Sequence, residues 1–407
     1  MRLNFRKNKA VCKRLQTAFL LDFCAILMKR LLFLFLVVCA VLPVSAQKRV
    51  SLLTCGTGEE LYSLFGHAAI RLVDTARGTD EVYNYGTFNG FEENFEIKYL
   101  RGKLLYYLAK EDFPAFLQTY IAEGRSVQEQ EILLDSIAKE KLYQALETNL
   151  LPQNAAYKYD FLYDNCATRV RDIFPKAIGP DYVAGGADSI PYRTFRNSID
   201  DYLAPRPWEK FGIDILLGSP VDAPVSPFTM QYLPDYLRSG IGHSFYEGKP
   251  CTSAPETLLP GAPRIHRTPK GPLILNLIML AVSAGLWSTR RLCAVAEVLG
   301  RVLFLITGLL GVLILFMWFG TDHQACSYNW NFLWLLPTGV VAAFLRGSIF
   351  RCYVLGAIGL LLVTFSIYAA GIQELPFRAG WPLMLNLCLN YGMIYRRSLV
   401  QKRARKL

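Results

Sequence analysis

Residues 161–170 read FLYDNCATRV and contain the local pattern around which the N-terminal half of the chain is organised. The alternating aromatic run 157–163 is typical of a β-strand. Asp164 and Asn165 are good helix caps, and the residues after them place apolar side chains at helical spacing. The pattern therefore predicts a strand, a turn, and a helix that begins near Cys166.

This prediction places Cys166 at the positive end of a helix dipole. Unsatisfied amide N–H groups at such a position stabilise the thiolate, which is the nucleophilic form of cysteine. The alternative interpretation is a small buried hydrophobic residue, because free cysteines commonly pack in protein cores. A nucleophilic role requires a base within reach of the sulfur.

Three histidines before the hydrophobic C-terminal region are candidates for that base: His67, His243 and His266. His243 lies in a Gly-rich sequence and His266 lies next to the first apolar stretch, and surface positions are predicted for both. His67 opens a predicted strand, FGHAAIRLV, and a second strand, EVYNYG, follows after a turn. On adjacent strands, the side-chain oxygen of Asn84 can hold one ring nitrogen of His67 while the other faces a thiol. A capped core histidine is the alternative interpretation of His67.

The distribution of charge and cysteine argues against two broad classes of protein. The net charge is +11, but residues 1–27 carry +5 of it and residues 396–407 carry +6, so the chain between them is neutral. A basic groove for nucleic acid is therefore not predicted. Of the ten cysteines, only Cys55, Cys166 and Cys251 lie in the predicted soluble part, and this odd number leaves at least one without a partner in the same chain. No Cys/His spacing typical of zinc is present, and neither a metal nor a cofactor is predicted.

The N-terminal sequence 28–47, MKRLLFLFLVVCAVLPVSAQ, is typical of a secretory signal. Two basic residues precede an apolar core, and a small-residue cleavage site ends it. Residues 1–46 are therefore predicted to be a leader that is cleaved after Ala46. Met28 is an alternative start, in which case residues 1–27 are misassigned.

The remainder of the chain divides into three predicted parts. Residues 47–204 mix strand and helix patterns and predict an α+β domain. The Pro-rich stretch 205–270 is predicted to be irregular and to link this domain to the membrane. Residues 271–407 predict an all-α transmembrane bundle of about five helices with a basic cytoplasmic tail. The five apolar stretches are 271–288, 302–320, 329–345, 352–372 and 380–395. Arginines and lysines lie in the three predicted inner segments, which places the α+β domain on the outer side of the membrane.

The order of the motifs resembles known families. GHAAIR, then NYG on the next strand, then a strand leading to DNC at a helix start resemble the circularly permuted papain-like (NlpC/P60-like) thiol hydrolases and acyltransferases, in which histidine precedes cysteine. The longer series LLTCGTGEELYSLFGHAAIR, VYNYGTF, YKYDFLYDNCATRVRD and GTDHQACSYNWNFLW, with a hydrophobic C-terminal region, resembles the bacterial lipoprotein N-acyltransferase family Lnb over most of residues 48–345.

The resemblance implies that Cys166 is the nucleophile and His67 the base, in a periplasmic domain anchored to the bacterial inner membrane. Asn84 as the third catalytic residue is our own inference, and it is preferred to Tyr83 and Tyr85 on chemical grounds. The implied reaction moves an acyl chain from a phospholipid donor to the α-amino group of a diacylglyceryl lipoprotein acceptor through a cysteine thioester.

Two other functions remain open at this point. The same Cys/His pair serves a periplasmic NlpC/P60-type cysteine amidase or peptidase when water replaces the amine. An enzyme that acts on a soluble wall polymer does not require membrane spans, and the predicted spans therefore argue against the amidase. The other alternative is a catalytically inert membrane scaffold.

Four further residues are predicted to contact substrate. Tyr163 and Asn165 flank the thiol and are expected to shape the pocket, with core packing and helix capping as the respective alternatives. Asp322 and His323 follow an apolar stretch and lie on the same side of the membrane as the thiol in the predicted topology. They are expected to receive a headgroup or the acceptor amine, and capping of a helix end is the alternative.

Overall fold

A computed structural model describes residues 27–32, 48–188, 193–262 and 270–404. The chain divides into two compact units, Met1–Gln47 and Lys48–Leu407. In the first unit only 27–32 are described, as a short helical stretch, and the predicted cleavage site after Ala46 lies outside the described residues. The second unit contains an N-terminal α+β part followed by a helical part, which confirms the predicted fold class.

Seven of the strands form an antiparallel sheet in the α+β part. The strands are β1 (Lys48–Cys55), β2 (His67–Asp74), β3 (Thr79–Thr87), β4 (Leu105–Asp112), β5 (Val127–Ile132), β6 (Ala156–Lys158), β7 (Tyr182–Val183), β8 (Phe245–Tyr246), β9 (Lys249–Pro250) and β10 (Glu256–Leu259). The sheet has the order β10-β5-β1-β2-β3-β4-β6, and β7, β8 and β9 form a small second sheet. Both faces of the larger sheet are buried, because Leu52 of β1 packs into one apolar cluster and Leu53 into another.

Helices cover both faces of this sheet. The helices described in the α+β part are α1 (Phe95–Leu100), α2 (Phe113–Ala122), α3 (Ser136–Leu150), α4 (Pro152–Ala155), α5 (Cys166–Ile178), α6 (Phe195–Leu203), α7 (Pro207–Leu216) and α8 (Pro234–Gly242). Leu142 of α3, Phe174 of α5 and Leu237 of α8 are fully buried in the cluster on one face. Phe116 of α2 is buried on the other. Each such side chain contributes about 1.5–3 kcal/mol through burial, so α5 is firmly fixed against the sheet.

Two local predictions differ from the structure. The strand predicted over 157–163 ends at Lys158, because the Asp160 carboxylate accepts hydrogen bonds from the N–H groups of Leu162 and Tyr163, both at 2.9 Å, and forms a turn. The Pro-rich stretch 205–270 is more regular than predicted, since it contributes α7, α8 and the edge strand β10. Both helices begin with a proline, at the position where the missing N–H has no helical partner.

The helical part contains long apolar segments. Its helices are α9 (Gly271–Ser288), α10 (Cys293–Phe319), α11 (Gly339–Ala342), α12 (Gly347–Ala369) and α13 (Phe377–Ala404). Among the described residues, the three helical segments long and apolar enough to cross a membrane are Gly271–Ser288, Arg290–Phe319 and Gly347–Ala369. The predicted span 329–345 forms short helical turns instead of one long helix, and α13 is long but contains Pro382. The number of five transmembrane helices therefore stays a prediction.

Buried side-chain amides join the two parts. Asn329 and Asn331 donate hydrogen bonds to the carbonyl oxygen of Ile215 in α7, at 2.9 and 3.1 Å. Gln373 donates to the carbonyl oxygen of Leu217 at 3.4 Å. Because a buried amide is costly to leave without a partner, these bonds favour one fixed arrangement. The α+β part is thereby held against the loops that follow α10 and α12.

Candidate active site

His67 is the first residue of β2 and is positioned by a tight turn. Gly66 precedes it with a φ of +79°, and a Cβ at Gly66 would lie 2.7 Å from the carbonyl oxygen of Cys55. The turn therefore requires glycine. Pairing of His67 with Cys55 in the β1–β2 ladder then fixes the backbone of the histidine.

Asn84 of β3 holds the ring of His67. Its Oδ1 lies 2.6 Å from His67 Nε2, and its Nδ2 donates to Oε1 of Glu111 on β4 at 3.0 Å. Because Oε1 of Glu111 accepts from the amide nitrogen, Glu111 fixes the amide with its oxygen toward the ring. Nε2 then carries a hydrogen, and Nδ1 is the ring nitrogen that remains for the thiol.

Cys166 is the first residue of α5, at the predicted helix start. The side-chain oxygen of Asn165 accepts a hydrogen bond from the N–H of Thr168 at 2.9 Å, and the Thr168 hydroxyl accepts one from the N–H of Asn165 at 2.7 Å. This reciprocal capping box sets the first turn of the helix. The thiol at its start makes a side-chain hydrogen bond with His67.

Gly86 of β3 marks the point where the site groups converge. A Cβ at Gly86 would lie 3.5 Å from the Cβ of Cys166, 3.7 Å from the hydroxyl oxygen of Tyr157 and 3.9 Å from Cε1 of His67. The Tyr157 hydroxyl is buried and has no hydrogen-bond partner in the part of the chain that the structure describes. A buried donor without a partner beside a thiol is available to a substrate atom.

Two of these residues are not indicated by the sequence. Tyr157 is one of several tyrosines in the run before Cys166, and its position in that run is the only signal. Glu111 is one of several acidic residues near the end of β4. Their roles depend on which strands become neighbours, and local patterns do not reveal that.

The thiol and the imidazole each favour the charged form of the other. Burial by itself raises the pKa of Cys166, but the facing His67 and hydrogen bonds from His67 and from the N–H groups of Ala68 and Ala167 lower it by more, so the pKa lies below its ordinary value of 9.0. Burial likewise lowers the pKa of His67, whereas the Cys166 charge and hydrogen bonds with Cys166 and Asn84 raise it above 6.5 overall. The arrangement favours a thiolate–imidazolium pair.

The other cysteines of the α+β part have the opposite electrostatics. Cys55 and Cys251 are both free and buried. Burial raises the pKa of Cys55 to about 12 and that of Cys251 to about 11. Both are therefore thiols at neutral pH and are poor nucleophiles. Among the described residues, no group of three or more His, Cys, Asp or Glu side chains is arranged to hold a metal ion.

The pH dependence of alkylation tests this pairing. Because the pKa of Cys166 is lowered, its reaction with iodoacetamide is expected to have a midpoint below pH 9.0. In a His67→Ala variant the midpoint is expected to move upward, since the opposite charge that favours the thiolate is lost. Peptide mass spectrometry quantifies modification at Cys166 alone. An unchanged midpoint in the variant would contradict the pairing.

Tyr163 and Asn165 lie on either side of Asp164 just before α5. Asn165 is buried, and its Nδ2 donates to the carbonyl oxygens of Phe161 and Tyr232 at 2.7 and 2.9 Å. Since its oxygen already caps α5, these contacts support the capping role. Tyr163 is 49% exposed, and a role in the pocket stays a prediction for it.

Asp322 and His323 lie in the loop after α10, against the α+β part. The N–H of Asp322 donates to the carbonyl oxygen of Arg101 at 2.9 Å, and its carboxylate lies 3.3 Å from Nζ of Lys158. His323 Nε2 lies 3.1 Å from the carbonyl oxygen of Leu100. These contacts support docking of the loop onto the α+β part. A role of either residue in binding substrate stays a prediction.

A cysteine at a helix start, a histidine on one strand and an asparagine on the next lie together here, and the same three residue types serve papain-like thiol enzymes as a Cys–His–Asn arrangement. Here that arrangement lies in an α+β domain joined to membrane-type helices. Two family models match the chain: the Lnb N-terminal periplasmic domain over residues 44–200 and the Lnb transmembrane domain over residues 268–402. The chain belongs to the Lnb family, which confirms the resemblance to that family and indicates a membrane protein of lipoprotein biogenesis with a periplasmic domain. No curated protein and no solved structure matches it.

Proposed function

We propose that the protein is a lipoprotein N-acyltransferase of the bacterial inner membrane, which it crosses several times. It transfers an acyl chain from a phospholipid to the α-amino group of a diacylglyceryl lipoprotein. The observation that carries the proposal is the pairing of Cys166 with His67 in a periplasmic domain that is fixed to membrane helices. Both proposed substrates are anchored in the bilayer, so a thiol held next to the membrane meets them without extracting them.

The first half-reaction forms a thioester. The thiolate of Cys166 attacks the carbonyl carbon of a phospholipid ester, and the negative charge moves to the carbonyl oxygen. N–H groups at the start of α5 and the Tyr157 hydroxyl are the donors available to this oxyanion. When the intermediate collapses, the imidazolium of His67 gives its proton to the leaving alkoxide, and lysophospholipid departs.

The second half-reaction forms the amide. The free amine of the lipoprotein attacks the thioester carbonyl, neutral His67 takes the proton from the attacking nitrogen, and the thiolate leaves. Asn84 and Glu111 keep the ring in one orientation through both halves. Because the acyl chain waits on the enzyme, two large lipid substrates use the same site in turn.

The direct assay uses the purified protein in phospholipid vesicles with a diacylated lipopeptide. Mass spectrometry is expected to show a lipopeptide heavier by one acyl chain, together with an equal amount of lysophospholipid. Muropeptides serve as alternative substrates in a parallel reaction. Cleavage of the muropeptides without transfer to the lipopeptide would indicate an amidase and not an acyltransferase. The absence of both products would indicate an inert scaffold.

Replacement of Tyr157 by phenylalanine tests the oxyanion role. Loss of one preorganised donor typically costs about 10²–10³-fold in kcat, and a decrease of about 10²-fold is expected with little change in KM. Stability is expected to be unchanged or slightly higher, because the hydroxyl has no partner among the described residues. Steady-state kinetics and thermal unfolding measure the two effects.

Tyr85→Phe is the matched control for Tyr157→Phe. The Tyr85 hydroxyl is also buried in the sheet but accepts a hydrogen bond from Nδ2 of Asn149 at 2.8 Å. Its loss is expected to lower the free energy of unfolding by about 1 kcal/mol while kcat stays within about twofold. If Tyr157→Phe retains full kcat, the hydroxyl has no part in the reaction.

A further inference from the structure

Helix α1 and the loop before it expose large apolar side chains. None of the residues of α1 is buried. Ile97 and Leu100 are 57% and 47% exposed, and Phe91 in the preceding loop is fully exposed. Apolar side chains grouped on a surface indicate a contact site.

This exposed group is fixed at the end of a membrane-type segment. The carbonyl oxygen of Arg101, directly after α1, accepts a hydrogen bond from the N–H of Asp322 at 2.9 Å. Nε of Arg101 donates to the carbonyl oxygen of Gly320 at 3.4 Å. Gly320 immediately follows Arg290–Phe319, one of the segments long and apolar enough to cross a membrane. Helix α1 is therefore fixed at the level of the C-terminal end of this segment.

Aromatic side chains mark the same level. The ring of Trp318, near the end of α10, lies 5.5 Å from the ring of Tyr328 and 5.7 Å from that of Trp330. Tryptophan and tyrosine concentrate at membrane–water interfaces. The loop that contacts α1 connects these aromatic residues, so α1 lies beside residues typical of a membrane interface.

We propose that residues 91–103, the lipid-contact segment, insert their apolar side chains into the outer leaflet of the phospholipid bilayer. The segment contains three acidic and three basic residues, so its charges cancel. Burial of apolar surface, not attraction to anionic headgroups, therefore holds it in the leaflet. Its position at the end of α10 makes the contact continuous with the membrane surface of the helical part.

A row of aromatic rings runs from the lipid-contact segment to the thiol. Centroid distances are 6.1 Å for Tyr99–Phe95, 5.7 Å for Phe95–Phe88, 5.6 Å for Phe88–Tyr106 and 6.5 Å for Tyr106–Tyr157. Tyr157 lies beside Cys166 at Gly86. In the proposed reaction, the acyl chain follows this row of rings from the leaflet to the sulfur. Delivery of an acyl chain along this row, unlike the membrane contact, rests on the proposed acyl transfer.

Photocrosslinking tests the membrane contact. A benzophenone amino acid replaces Ile97 or Leu100 in the full chain, reconstituted in vesicles of phosphatidylethanolamine and phosphatidylglycerol. Ile137 is the matched control, since it is 68% exposed but lies on α3, which packs on the sheet and on α5. Phospholipid adducts are expected at positions 97 and 100 and not at 137. Equal yields at all three positions, or no lipid adducts at 97 and 100, would overturn the contact.

A charge variant tests the delivery of the acyl chain. In Ile97→Glu/Leu100→Glu, transfer from vesicle phospholipid is expected to fall about tenfold or more, because two side chains no longer enter the leaflet. The alkylation rate of Cys166 by iodoacetamide is expected to be unchanged, which shows an intact site. Full transfer activity in this variant would overturn delivery along the rings. Crosslinking needs no active thiol and is repeated in Cys166→Ser, so it decides the membrane contact even if acyl transfer is absent.

Discussion

Replacement of Cys166 by serine is expected to abolish acyl transfer, with a loss of about 10³-fold or more in kcat. Serine keeps the size and the hydrogen bonds of the side chain, but its hydroxyl is not ionised by a neighbouring imidazole as a thiol is. The helix cap formed by Asn165 and Thr168 does not involve the sulfur, so folding and membrane insertion are expected to be retained. Transfer to the lipopeptide, measured by mass spectrometry, gives the result.

Cys55→Ala is the matched control for Cys166→Ser. Cys55 pairs with His67 in the β1–β2 ladder and is also buried, but burial raises its pKa to about 12. Transfer is expected to stay within about threefold of wild type, with a modest loss of stability from the small cavity. If Cys55→Ala abolishes transfer and Cys166→Ser does not, the nucleophile has been assigned to the wrong cysteine.

Replacement of His67 by alanine is expected to reduce kcat by about 10²–10⁴-fold, the usual contribution of a positioned acid–base group. The loss has two causes. Without the imidazole the two largest contributions that lower the pKa of Cys166 are lost, so less thiolate is present at neutral pH. The leaving alkoxide and the attacking amine also lose their proton donor and acceptor. Raising the pH is expected to restore part of the first loss and none of the second.

His243→Ala is the corresponding control for His67→Ala. His243 follows α8, and its side chain is mostly exposed, with Asp188 as a neighbour at 3.8 Å. Transfer by this variant is expected to equal that of wild type. Full activity of His67→Ala in the same assay would exclude an acid–base role for His67.

Much of the site was predictable because local chemistry sets it. A helix that begins at a cysteine behind Asn165 follows from capping preferences, and the strand that begins at His67 follows from a glycine and an alternating apolar run. The order of these motifs with the hydrophobic C-terminal region also indicated the family. That Asn84 meets His67 required only that β2 and β3 form a hairpin, which their short connection favours.

The rest depends on contacts between distant parts of the chain. Glu111 reaches Asn84 only because β4 pairs with β3, although the α1 segment separates the two strands in the sequence. The predicted span 329–345 does not form one helix, and two of its asparagines, Asn329 and Asn331, are buried against the carbonyl oxygen of Ile215. Strand β10 lies in a Pro-rich stretch and finds its partner in β5. Periodicity within one segment does not identify such partners.

The most direct test of the proposed mechanism is the mass of the protein after incubation with phospholipid and no acceptor. The prediction is one acyl chain on the peptide that contains Cys166, removable by neutral hydroxylamine and transferred to a diacylated lipopeptide when this is added. Transfer to the lipopeptide without an acyl chain on Cys166 at any stage, or with the chain on another residue, would contradict the thioester mechanism.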